Sequence, residues 1–104
     1  MGRAEKYSAI AELNGPEKIL LRAAEEHAEA AAAILRYHRS LYGGDLPPGE
    51  TLFTVGKAMA AELADCEVMF RQMVRTVPDL SKWVKASVEQ KIERTLERYH
   101  VEVE

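Results

Sequence analysis

Glu62 interrupts an apolar stripe. Residues 51–77 read as one helix in which Val55, Met59, Cys66, Met69, Phe70, Met73 and Val77 recur at helical spacing. At about 100° per residue, Glu62 projects between Val55, Cys66 and Met73, on the face a core would claim. Asp65, one turn on, lies at the edge of that face. A carboxylate pointed into a core is costly unless a cation pairs with it. Glu26 and Glu29 repeat the i,i+3 spacing on an earlier helix and flank its apolar stripe. If the two helices pack, four carboxylates converge at one depth, and they cannot all ionise there without cations. Hard oxygen ligands in that number suit Mg2+ or Mn2+. A third helix adds Lys91, between Val84, Val88, Ile92 and Thr95 on an expected inner face, with Arg94 beside it. Lys91 is either a phosphate contact or a plain counter-ion to the acids. Acids, metal and cations together match phosphoryl chemistry on a small anionic substrate.

The elements that must position these groups are helical. Residues 4–12 predict a short helix with Tyr7, Ile10 and Leu13 on one side. Asn14 is the expected N-cap of a long helix, with Pro16 in its first turn and Glu17 near its positive end. That helix runs to about Leu41, with Ile19, Leu20, Ala23, His27, Ala30, Ile34, Tyr37 and Leu41 as its apolar stripe. Gly43 and Gly44 end it, and residues 45–49, with two prolines, form a connector. The second long helix stops before Pro78, and Asp79 or Ser81 caps a third that reaches about Tyr99. The tail from Val101 to Glu104 is expected to fray. Three main helices and a short N-terminal one predict an all-α fold, an antiparallel bundle. A single copy leaves long apolar faces uncovered, so the bundle is expected to be completed by oligomerisation, as a homodimer or homotetramer.

Composition agrees. The chain has 104 residues, 47% of them hydrophobic, with a formal net charge of −3. That length predicts one domain over residues 1–104, with its core at about 7–99. Abundant Ala, Glu, Lys and Arg favour helices. No dense basic block appears, which argues against a nucleic acid polymer as partner. A single cysteine excludes an internal disulfide framework. No apolar run is long enough to span a membrane, and the first residues lack a signal-peptide core, so the expected compartment is the cytoplasm. His27 reads as a hydrogen-bonded core histidine, His38 and His100 as surface residues, and Cys66 and the methionines as packing. The His and Cys spacings form no zinc signature.

Glu25-Glu26-His27-Ala28-Glu29, followed later by Glu62-Leu63-Ala64-Asp65, resembles the bipartite acidic motif of the MazG-like, all-α nucleoside triphosphate pyrophosphohydrolases. Ile34-Leu35-Arg36-Tyr37 follows the first half much as in that family, and Lys91-Ile92-Glu93-Arg94 looks like the Lys-x-x-Arg of its last helix. The connector is somewhat longer than usual there. The related phosphoribosyl-ATP pyrophosphohydrolases continue their second motif into a Tyr-His pair, which is absent after Asp65. The resemblance implies Mg2+-dependent cleavage of a nucleoside triphosphate substrate to a monophosphate and pyrophosphate. It places the metal on Glu26, Glu29, Glu62 and Asp65. It gives Glu25 a part in orienting water, and Lys91 and Arg94 the charge of the leaving group. The rival reading is a non-enzymatic helical interaction module in which Glu62 and Lys91 form a buried pair that fixes register.

Overall fold

A computed structural model describes residues 1–102. Four helices follow one another: α1 (Arg3–Asn14), α2 (Pro16–Tyr42), α3 (Leu52–Thr76) and α4 (Leu80–Arg98). Among the described residues there is no strand, and the chain is an all-α helical bundle. Among the described residues, no helix is long and apolar enough to cross a membrane. Val101 and Glu102 are non-helical, as expected of the tail, while residues 103 and 104 lie outside the described residues.

The helix ends differ in detail from the sequence reading. Asn14 does not cap α2; it is the last residue of α1, and its Nδ2 donates to Gln72 Oε1 at 3.3 Å. A single residue, Gly15, separates α1 from α2 at φ 79, a conformation that glycine adopts without strain. Asp79 stands at the N-cap position of α4 but makes no side-chain cap, because its backbone is left-handed. The start of α3 is well capped: Thr51 and Thr54 exchange side-chain and backbone hydrogen bonds in a capping box. Ser40, buried at the end of α2, donates to the Asp45 carbonyl and holds down the connector.

The long helices α2 and α3 form an antiparallel hairpin, the dominant contact of the chain. Its seam on α2 runs through Ile19, Ala23, Glu26, Ala30, Ala33, Tyr37 and Ser40, spaced alternately four and three residues apart. On α3 it runs through Val55, Met59, Glu62, Cys66, Met69 and Met73 at the same alternation. This is the heptad pattern of two helices that stay in contact along their length. The Cys66 thiol reaches the Glu26 carbonyl at 3.5 Å, and Gly56 lies against the Tyr37 ring. That register sets Glu62 across from Ala30.

The expected α2 stripe is therefore displaced by one residue at several positions. Leu20, Ile34 and Leu41 are exposed, and so is His27, whose Nδ1 bonds the Ala23 carbonyl at 2.6 Å instead of entering a core. Small residues fill the seam because they let the helices approach closely, while the larger side chains stand on its flank. At the far end, Ile19, Ala23 and Met69 form a core cluster against which Ala11 of α1 and Met73 pack. Arg75 fastens α1 by donating to Ser8 Oγ at 3.1 Å and by lying over the Tyr7 ring. Helix α4 touches only α3 and buries none of its residues.

Because the seam depends on small residues, Ala30→Leu should cost about 1–3 kcal/mol through overpacking. For a chain of this size that is a fall of at least roughly 4 °C in melting temperature, with helical circular dichroism retained. An unchanged melting temperature would show that the helices are not in close contact at Ala30.

Candidate metal centre

Helices α2 and α3 present their acids to one another because both carry a glutamate at a seam position. Glu26 and Glu62 are half-buried, and Asp65 is exposed at the lip. One carboxylate oxygen from each of these three lies within 4.8 Å of the others. Glu29, also exposed, comes within hydrogen-bonding reach of the Glu62 carboxyl. Glu26 Oε2 and Glu62 Oε2 have no contact with solvent and no hydrogen-bond partner. Buried polar atoms are seldom left this way, and either a cation or a shared proton would satisfy two such oxygens on neighbouring carboxylates.

The electrostatics say the same. Burial raises the Glu26 carboxyl above its usual 4.5, and Glu29, Asp65 and Glu62 raise it further; Arg22 opposes them. Burial likewise raises Glu62, with Glu29 and Asp65 adding to it and Arg36 opposing. Burial pushes the Cys66 thiol up too, reinforced by Glu26, Asp65 and Glu62. A thiol held protonated is a poor soft-metal ligand. The donors on offer are hard carboxylate oxygens, the set that suits Mg2+ or Mn2+ rather than zinc.

Of the residues expected to act together, the hairpin assembles Glu26, Glu62 and Asp65, with Glu29 beside them. It does not bring in Glu25, which is exposed on α2. Nor does it bring in Lys91 and Arg94. Both are exposed on α4, and neither is among the charges acting on Glu26 or Glu62. The inner face expected for Lys91 does not exist within one chain, because α4 has no partner helix along its length. Lys91 therefore forms no pair with Glu62. Among the described residues the one side-chain ion pair is Arg71 with Glu67, at 3.9 Å.

The cations whose charge acts on the acids, without a direct ion pair, are Arg22 on Glu26 and Arg36 on Glu62, which the sequence reading did not select. Their signal was available. Arg22 precedes Glu26 by one helical turn, and Arg36 follows Glu29 by two, so all lie along one side of α2. A broad groove lined by Ala4, Ser8, Glu12 and Arg75 lies between α1 and the end of α3, away from the acids. Comparison with protein-family models, with curated proteins and with solved structures finds no match.

The raised carboxyls set a sign for stability. Glu26 and Glu62 bind protons more readily folded than unfolded, so their contribution is full below about 4.5 and is lost as pH rises through their folded values. In chelator at neutral pH, Glu62→Gln should melt at or above wild type, because it removes a like charge. The wild type should gain on the variant as pH falls toward 4.5, and again when millimolar Mg2+ is added at neutral pH. A variant that melts well below wild type in chelator at neutral pH would mean the carboxylate is already paired in the free protein.

Proposed function

We propose that the chain is a Mg2+-dependent nucleoside triphosphate pyrophosphohydrolase of the MazG-like kind, converting a (d)NTP to a (d)NMP and pyrophosphate. The observation that carries this reading is the pair of orphaned oxygens on Glu26 and Glu62. They belong to the same acidic motifs that carry the resemblance, and those motifs lie far apart in sequence. Glu26, Glu62 and Asp65 would hold the metal, with Glu29 as a fourth ligand from the lip. Bound Mg2+ supplies charge neutralisation at phosphate oxygens and a water of lowered pKa.

The chain's own residues supply the rest. Asp65 and Glu29 are exposed, so the acids open to solvent on that side and a triphosphate can reach them. Arg22 and Arg36 stand on the same side of α2 as Glu29, and their charges act on Glu26 and Glu62 within one chain. Their guanidinium groups can donate paired hydrogen bonds to phosphate oxygens and offset charge on the leaving pyrophosphate.

Release of pyrophosphate from a panel of canonical and modified (d)NTPs, with and without Mg2+, tests the reading directly. Glu62→Gln keeps the volume and removes a ligand charge. Turnover should fall by on the order of a hundredfold or more while the helical signal persists. Wild-type turnover in that variant, or no substrate in the panel, would remove the proposal. Arg36→Met should keep the Mg2+-dependent rise in melting temperature and lose roughly tenfold or more in kcat/KM. If Arg36 only balanced Glu62, the variant would instead lose metal binding or stability with catalysis intact.

A further inference from the structure

We propose that a nucleotide takes one direction along the α2–α3 hairpin. Its pyrophosphate end lies toward Arg22 and α1, and its nucleoside end toward Arg36 and the connector. This direction rests on the pyrophosphohydrolase reading above, and it gives the two arginines different roles. The acids occupy a stretch of the hairpin with one arginine on either side of it along α2. Arg22 precedes Glu26 by four residues, about 6 Å of helix, and Arg36 follows Glu29 by seven, about 10 Å. Arg22 acts on Glu26, and Arg36 on Glu62.

The two ends of this stretch are unlike. Helix α1 docks on α3 at Gln72 and Arg75, through Asn14 and Ser8, beside the start of α2. Gln72 follows Asp65 by seven residues, about 10 Å of helix, and that gap bounds any group held on the Arg22 side. Val68, about one turn from Asp65 toward α1, is half-buried, whereas Ala61, one turn toward the connector, is exposed. Ala58 and Ala32 continue that exposed face between the acids and Arg36. A cation next to the acids, with a helix closing the space behind it, suits a compact, highly charged group such as pyrophosphate. The open run of small side chains, with a planar guanidinium at its far end, suits a sugar and base.

Hydrolysis divides the substrate between those ends. The oxygen of water bonds to the α phosphorus, and the bond from that phosphorus to the bridging oxygen breaks. The electron pair of that bond departs on pyrophosphate, and the water proton passes to solvent. Arg22, one turn from Glu26, offsets the charge that grows on the leaving group. Arg36 meets no developing charge. Its guanidinium stacks on the base or donates to base oxygens, and so sets which nucleotide is taken.

Calorimetric titration of the full chain with each product, in millimolar Mg2+, tests the direction without requiring turnover. Both arginines are exposed, and methionine matches their helix propensity, so the variants fold. The wild type should bind pyrophosphate and a nucleoside monophosphate. Arg22→Met should weaken pyrophosphate roughly tenfold or more and leave the monophosphate within about twofold, and Arg36→Met should do the reverse. In kinetics, Arg36→Met should narrow the spread of kcat/KM across the (d)NTP panel, while Arg22→Met lowers every (d)NTP by a common factor. The opposite assignment, or variants that each affect both products equally or not at all, would overturn the proposal and leave the pyrophosphohydrolase reading standing. A wild type that binds neither product would overturn both.

Discussion

Two carboxylates occupy a helix seam otherwise built from small and apolar side chains, and most of what distinguishes this chain follows from holding them there. Ala23, Ala30 and Ala33 bring α3 close to α2. Close approach removes solvent from Glu26 Oε2 and Glu62 Oε2 without supplying a hydrogen-bond donor. An apolar pair at these positions would give a more stable hairpin. The acids are therefore a stability cost, which the metal proposed for this site would offset.

The seam also sorts charge from grease. With small residues on the contact line, the bulkier apolar side chains fall to one flank and the arginines and outer acids to the other. One side of the hairpin is thereby charged and open to solvent, and the other carries exposed apolar side chains.

Much of this arrangement was legible in the sequence. The helices, the connector and the conflict at Glu62 follow from periodicity and from Gly and Pro punctuation. The meeting of Glu26 with Glu62 and Asp65 follows once two long helices are joined by a short connector. What escaped was the phase of the α2 stripe. Hydropathy weights Leu20, Ile34 and Leu41 above Ala33 and Ser40, so a reading by size chose the flank over the seam. Lys91 is exposed on α4 in the single chain for a related reason. Its surroundings on α4 look like an inner face, and the pattern cannot say that the surface which covers that face is missing from the chain. Arg22 and Arg36 were passed over because a cation on a helix exterior is unremarkable until an acid is found beside it.

The antiparallel hairpin also has a consequence for the order in which the chain folds. Gly56 meets Tyr37 close to the connector, Cys66 meets Glu26 across a separation of 40 residues, and Arg75 meets Ser8 across 67. The entropy lost in closing a loop grows with its length, though slowly. The contacts nearest the connector thus carry the smallest closure cost, and each one shortens the loop that the next must close. Ser40 and the Thr51 cap hold the two ends of the connector from which this zipping starts. The acids meet partway along, before α1 has a completed surface on which to dock. Like-charge repulsion between Glu26 and Glu62 consequently falls within the act of zipping itself, where protonation of the two carboxyls eases it.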